Sequence, residues 1–516
     1  MNRTTLSNSC GNISRLLWNT AARTPTAVAI TSRDEQVDYA ALRESAAGYA
    51  ALLLDAGIRP GERVAVFLER GAAAAAAFFG AAATGAVAVM VNESLRPRQV
   101  EHILGHSGAR VLISSADLLA RLPRPLATHA QILTDTPSVF NGWRRLRPVP
   151  ATAWDPASII YTSGSTGLPR GVTVSHGNLA AGVRSVGAYL GTRSSDRIAS
   201  LLPFSFDYGF NQLLGSVAVG ATLVIERSPL ARQIVDTLRQ YGVTVLAAVP
   251  PLWLQLLRVD DFTDRPLPDL RIMTNTGGRL PVPAVRTLRT AHPHARLFLM
   301  YGLTEAFRAT WLPPQLVDAR PDSIGKAIPQ SEILVVRDDG SECAPGEEGE
   351  LVQRGPTVAL GYWDDPAATA RVFRPNPLRP AGTPDAERVV YSGDIVRRDG
   401  AGFLYYVGRR DRMIKTLGHR VSPDEVADVI YASGLVAECI VGTEPDPERG
   451  DAIVAHVVLH DPGSLRQLER YCRAELPRYL QPSRLETHPD LPRTSSGKHD
   501  IRALHAPPLS APSPGD

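Results

Sequence analysis

Residues 161–171 read YTSGSTGLPRG, and this stretch sets the terms for the rest of the chain. Thr162, Ser163, Ser165 and Thr166 supply four hydroxyls, while Gly164, Gly167 and Gly171 let the backbone come close to an anion and take conformations that a β-carbon forbids. A loop of this chemistry cradles phosphate through its amides and hydroxyls. The short apolar run at 157–160 predicts a strand feeding the loop, and 172–183 alternates and then turns helical. The spacing matches neither GxxxxGK[ST] nor GxGxxG, which excludes a P-loop NTPase and a Rossmann dinucleotide site.

Working outward, 516 residues give a prior of roughly three folding units. A content of 44% hydrophobic and 21% charged residues is that of an ordinary soluble chain with a large core. The net charge of +3 is small and the basic residues are dispersed, so nothing points to nucleic acid. Cys10, Cys343, Cys439 and Cys472 are far apart and form no CxxC pair, which predicts reduced thiols. Only three of the 55 Lys and Arg residues are lysine: Lys326, Lys415 and Lys498. A GC-rich coding bias accounts for the arginines; a retained lysine suggests a position that needs a compact ammonium.

Residues 71–91 contain no charge and are long enough to span a bilayer. Most of them are Ala and Gly, and Gly85 followed by Ala-Val-Ala-Val reads as a helix end and a buried strand, so no membrane span is expected. The first 18 residues hold no sustained apolar stretch, which predicts no secretory signal and a cytoplasmic protein.

Along the chain, strands at 28–30, 64–67, 87–91 and 110–113 alternate with helical patterns at 39–56 and 97–106. Such alternation predicts a parallel α/β layer. A second, similar layer is expected from strands at 198–202, 222–225, 243–247, 270–274 and 297–300. Beyond 320, short strands punctuated by Gly, Pro and Asp predict a small β-rich subdomain. After the charged connector at 409–412, a compact α+β unit follows, with a helix opened by Pro423 and capped by Ser422. The expected domains are a core at 1–409, a mobile C-terminal domain at 410–505 and a Pro- and Ser-rich tail at 506–516.

Seven motifs stand in order: YTSGSTGLPRG, LLPFSFDYG at 201–209, YGLTE at 301–305, GELVQRG at 349–355, YSGD at 391–394, GRRDRMIKTLGHRVSP at 408–423 and PRTSSGK at 492–498. On these, residues 12–505 resemble the adenylate-forming superfamily, which includes acyl-CoA synthetases, stand-alone adenylation enzymes and the adenylation domains of peptide synthetases. The resemblance implies attack of a carboxylate on the α-phosphate of ATP, release of pyrophosphate, and transfer of the acyl group to a thiol. It implies ATP and Mg²⁺ as cofactors. Two like-charged reactants and a departing pyrophosphate call for fixed cations and dipoles more than for an acid or base.

Residue by residue, the resemblance makes Lys498 the cation of the first half-reaction. It assigns Glu305 to Mg²⁺ and Thr304 to the adenylate phosphate. Thr162, Ser163, Gly164, Ser165, Thr166, Gly167 and Arg170 form the phosphate loop, with Arg170 where the family usually has lysine. Tyr301 packs on adenine, Gly302 belongs to the same ATP- and AMP-binding set, Asp394 takes the ribose hydroxyls, and Arg409 helps to hold ribose or phosphate. Asp411 is the expected hinge, and Gly418 and Arg420 belong to the thioester-forming face. Ser392 replaces the commoner threonine of YSGD.

The acid is read from Asp207, which stands where amino-acid-activating members bind the substrate ammonium. Arg308 is a rival cation: it either neutralises Asp207 or binds a second carboxylate or carbonyl of the substrate. Tyr208, Asn211, Asn275, Thr276, Gly277 and Met300 complete the expected pocket. This set resembles stand-alone enzymes that load α- or β-amino acids onto a separate acyl carrier protein. The alternatives are a CoA ligase for an unaminated acid and, more remotely, a non-catalytic nucleotide-binding relative. No membrane or nucleic-acid partner is expected.

Overall fold

The alanine-rich run is a buried helix, Ala72–Ala83, which leads into the buried strand Val87–Met90. Gly85, at φ +79°, makes the turn between them. Among the described residues no helix is long and apolar enough to cross a membrane. This computed structural model describes residues 11–123, 130–134, 146–162, 169–380, 382, 387–412, 414–416, 419–446 and 450–504.

Three sheets account for the described strands. In the seven-stranded sheet, Arg63–Phe67 lies between Val87–Met90 and Val111–Ser114, all parallel. The strand Pro156–Thr162 adds parallel to Val87–Met90 and pairs antiparallel with Arg170–Ser175, so that Thr162 faces Arg170. Ser163, Gly164, Ser165, Thr166 and Gly167 lie outside the described residues.

The 14-stranded sheet has a parallel centre: Thr222–Ile225, Arg197–Ser200, Val245–Ala248, Ile272–Asn275 and Arg296–Tyr301. Thr310–Trp311 and Ser323–Ala327 continue it in antiparallel fashion to the β-rich strands beyond residue 330. One expectation is corrected here. Val28–Thr31 does not join the first layer; it pairs parallel with Thr222–Ile225 in this larger sheet. Alternation identifies a strand but not its partner. Here the partner is fixed from a distance, because the Tyr39 hydroxyl, at the start of helix Tyr39–Asp55, donates to Ala221 O at 2.6 Å.

The third sheet has five strands, with Gly450–Leu459 at its centre and Val436–Asp446 paired along it at one edge. Helices Pro423–Ala432 and Leu465–Glu475 close a separate apolar core around Val426, Ile430, Val457 and Leu468. Ser422 caps the first helix, accepting from Asp424 N at 3.2 Å. Cys343, Cys439 and Cys472 are buried free thiols. The small unit is fastened to the larger body by Arg258 to Glu438 at 2.9 Å, by Arg279 to Asp428, and by Asn92 Nδ2 donating to Ser495 O at 3.0 Å.

Candidate active site

Ligands of open α/β sheets bind beyond the carboxyl ends of the parallel strands. Two of those ends, Asn275 and Tyr301, lie on neighbouring strands, and the strand Arg197–Ser200 leads to Asp207 at the start of helix Asp207–Val219. The helix N-terminus favours the Asp207 carboxylate there. Asp207 is 4% exposed and Arg308 is 2% exposed, with Oδ2 and Nη1 3.5 Å apart. That distance is too long for a hydrogen bond. Arg308 Nη1 donates instead to Phe307 O at 2.6 Å, and the guanidinium lies over the Tyr208 ring at 4.9 Å. Its Nε and Nη2 are buried without a hydrogen-bond partner.

Arg308 is aimed by an uncommon backbone feature. Phe307 has φ +58° and ψ −49°, and Arg308 N donates to Ala306 O at 2.6 Å, which makes a strained γ-turn of the positive-φ kind. The Phe307 ring is fully buried, and a β-carbon on Gly182 would lie 2.3 Å from its Cδ1. Gly182 therefore makes the room in which this turn is held.

Lys498 enters from the small unit at the end of a turn in which Thr494 N donates to Lys498 O at 2.7 Å and Lys498 N donates to Thr494 Oγ1 at 3.2 Å. Its ammonium lies 5.0 Å above the Phe206 ring. Gly277, at φ +83°, forms the opposite wall: a β-carbon there would lie 3.1 Å from Lys498 Cε. Burial lowers the lysine pKa, while Asp207 and Glu305 oppose that shift. Asp207, Glu305, Arg308 and Lys498 thus form one charge cluster, two acids and two cations.

Glu305 follows Thr304 in a short 3₁₀ turn, and its Oε1 accepts from the Tyr362 hydroxyl at 2.6 Å. Burial and the carboxylate both raise the Tyr362 pKa, so the phenol stays a donor. Nearby, the Tyr301 hydroxyl donates to Asp394 Oδ2. Asp394 Oδ1 is buried without a hydrogen-bond partner, 3.6 Å from Arg409 Nη1. Desolvation raises the Asp394 pKa. Arg409 Nε also donates to exposed Asp411 Oδ1 at 3.1 Å, so one guanidinium joins the YSGD carboxylate to the expected hinge.

The remaining pocket candidates divide. Thr276 Oγ1, Asn275 Oδ1 and Asn211 Nδ2 are buried polar atoms without partners, consistent with groups that await a ligand. The Tyr208 hydroxyl is already used, by Thr274 O at 2.8 Å, and Met300 Sδ accepts from Tyr189 OH at 3.1 Å. Those two build the wall. A β-carbon on Gly302 would lie 3.3 Å from Arg308 Cα. Arg170 opens the strand Arg170–Ser175, and Arg420 lies in the strand His419–Val421. Gly418 falls outside the described residues.

Sequence reading missed Phe206, Phe307, Tyr362 and Gln353. Gln353 is fully buried and its Nε2 donates to Arg308 O at 2.7 Å, bracing the turn from the GELVQRG strand. The positions of Gln353 and Phe206 inside matched motifs were a usable signal; Phe307 and Tyr362 carry none.

Residues 17–363 match the AMP-binding enzyme family, and residues 425–498 match the AMP-binding enzyme C-terminal domain. The chain is 31% identical over 507 residues to the L-proline–[L-prolyl-carrier protein] ligase of Pseudomonas fluorescens, covering 95% of this chain and 97% of that protein. It is 29% identical over 521 residues to a dimodular nonribosomal peptide synthase of Bacillus subtilis, covering 99% of this chain but 21% of that longer protein. Among solved structures, o-succinylbenzoate coenzyme A synthetase of Bacillus subtilis, in complex with ATP and magnesium ion, matches with a TM-score of 0.82 and 26% identity, over 96% of this chain and 99% of that one.

Proposed function

Because the chain belongs to the AMP-binding enzyme family, an ATP-using ligase family, we propose that it activates a small amino acid as its aminoacyl adenylate and passes it to the phosphopantetheine thiol of a separate carrier protein. The observation that carries this reading is the Asp207 carboxylate. It is buried, it faces the charge cluster, and among the described residues no hydrogen bond reaches its side chain. Buried carboxylates are ordinarily hydrogen-bonded, and a substrate ammonium supplies the missing donors.

In the first half-reaction an oxygen of the substrate carboxylate attacks the α-phosphorus of ATP, and the bond to pyrophosphate breaks. Lys498 neutralises charge between carboxylate and phosphates, and Gly277 and Phe206 hold its stem in place. Asp394 Oδ1, buried and short of a partner, takes a ribose hydroxyl, with Tyr301 and Arg409 holding the carboxylate. The residues present suit Mg²⁺: Glu305 offers a hard carboxylate oxygen fixed in orientation by Tyr362, and the ion supplies charge neutralisation on the phosphates. In the second half-reaction the thiol attacks the acyl carbon and AMP leaves. We assign residues 410–505 as the unit that turns about Asp411, withdrawing Lys498 and presenting Arg420 and Gly418. A cytoplasmic location is part of the same proposal.

A second reading rests on Arg308. Two of its donors are buried and unused, which suits an acid bearing a further carbonyl or carboxylate and no amine, activated for CoA. ATP–pyrophosphate exchange across α-amino acids, β-amino acids and their deaminated counterparts decides between the two. Exchange that needs the amino group, and a KM that rises on Asp207→Asn for that substrate alone, supports the amino acid. Exchange with deaminated acids, unmoved by Asp207→Asn, overturns it in favour of the CoA ligase.

A further inference from the structure

Strand Arg484–Thr487 lies parallel to Gly450–Leu459 at the side of the small sheet, with Glu486 opposite His456. His488 follows two residues after Glu486, so both project from the same face, and His488 N donates to Val457 O at 2.9 Å, which extends the pairing. Three ligand-type atoms converge there. His456 Nδ1 is 3.1 Å from Glu486 Oε2 and 3.1 Å from His488 Nε2, and His488 Nε2 is 3.9 Å from Glu486 Oε2. We propose that His456, Glu486 and His488 form a binding site for a divalent transition metal, zinc by the chemistry of the donors, sharing no residue with the charge cluster proposed to carry adenylation.

His456 Nδ1 and His488 Nε2 pair through one N–H, which leaves the Glu486 carboxylate oxygen beside them without a share in that proton. A single proton satisfies one nitrogen pair, whereas a metal ion satisfies both nitrogens and the carboxylate. Bonds of about 2.0–2.1 Å in a tetrahedral zinc site place neighbouring ligand atoms about 3.3 Å apart, close to two of the three separations here. Arg484 Nε forms an ion pair with the other carboxylate oxygen, Glu486 Oε1, at 2.7 Å, the kind of outer contact that orients a metal-ligating carboxylate. His456 is 3% exposed while Glu486 and His488 are half-buried, leaving a solvent-facing fourth position. The site would fasten Arg484–Thr487, the strand that leads to the turn bearing Lys498, to the middle of the small sheet.

The test uses the full-length protein, stripped with chelator and dialysed. Titration with Co²⁺ is expected to give tetrahedral visible bands at one equivalent, displaced by Zn²⁺, and Zn²⁺ is expected to raise the melting temperature. In H488Q, which changes a half-buried side chain, and in E486Q, the bands and the thermal rise should be lost, while metal-free variants keep the unfolding transition and pyrophosphate exchange of the metal-free parent. Absence of tetrahedral bands in the parent, or bands and a thermal rise undiminished in both variants, would overturn the site. Both outcomes are independent of which acid the enzyme activates.

Discussion

Tyr362 donates its hydroxyl hydrogen to Glu305 Oε1 at 2.6 Å, across 57 positions of sequence, and so links the strand Gly361–Tyr362, paired with Arg170–Ser175, to the YGLTE turn. Tyr362→Phe keeps the ring, which packs edge-on against Phe373 at 5.7 Å, and removes only the donor. A hydrogen bond to a charged group contributes about 1.5–3 kcal/mol, so exchange should fall on the order of tenfold to a hundredfold. The Mg²⁺ concentration for half-maximal exchange should rise. An unchanged Mg²⁺ dependence would mean that Glu305 does not need this restraint.

Gly277 and Lys498 test each other. Gly277→Ala asks an L-residue to hold φ +83° and places a methyl 3.1 Å from both Lys498 Cε and Val249 Cγ1. The backbone cost is about 1–2 kcal/mol, and the lysine stem is the softer neighbour. We expect kcat for pyrophosphate exchange to drop while ATP binding, measured by calorimetry, changes little. Equal loss of both would place the damage in the nucleotide site instead.

The turn at Phe307 is supported from below by Gly182. A β-carbon at Gly182, 2.3 Å from Phe307 Cδ1, cannot be accommodated without moving the ring. Overpacking of this kind costs roughly 1–3 kcal/mol. Gly182→Ala should therefore lower the melting temperature and, because Arg308 follows the moved residue, raise KM for the acid more than KM for ATP. Full activity with an unaltered melting temperature would show that the γ-turn is not needed.

Stability should fall in acid through His176. Its Nδ1 accepts from Ile13 N at 3.0 Å, so the ring is neutral when folded, and burial lowers its pKa from 6.5 to about 4. Between those values the unfolded chain binds more protons than the folded one. The contribution, about 3 kcal/mol, is complete above pH 6.5 and is lost as pH falls toward 4. His176→Asn retains an acceptor near Nδ1 and cannot take up the proton. It should flatten the drop in melting temperature between pH 7 and pH 4.5; an equally steep drop would shift the cause to other groups.

Local signals carried much of this molecule. Gly85 and the alanine content separated helix Ala72–Ala83 from a membrane span, and Ser422 with Pro423 marked a helix start to the residue. The ordered motifs named Asp207, Glu305 and Lys498, and the spacing after Glu305 added Arg308; the fold brings all four into one cluster from positions almost 300 residues apart. What sequence could not supply were choices made at long range. Val28–Thr31 has the pattern of any buried strand, and its sheet is chosen by Tyr39 reaching Ala221. A phenylalanine at positive φ has no compositional mark, because the strain at Phe307 is maintained by Gly182 and Gln353, neither of them adjacent in the chain.

The lysine itself gives the sharpest pH test. Burial moves the Lys498 pKa below its ordinary value of 10.5, and Asp207 and Glu305 resist the move. In the proposed role Lys498 acts as a cation, so activity should be present below the shifted pKa and be lost as pH rises through it. The alkaline limb of kcat/KM for pyrophosphate exchange, which reports the free enzyme, should therefore lie below pH 10.5. Lys498→Ala should cost on the order of 10²–10³ in exchange and abolish the limb. Asp207→Asn removes a charge that favours the protonated lysine, so in its residual activity the limb should move further toward neutral pH. A limb that stays in place in Asp207→Asn, or survives in Lys498→Ala, would show that another group titrates and that Lys498 is not the cation of the first half-reaction.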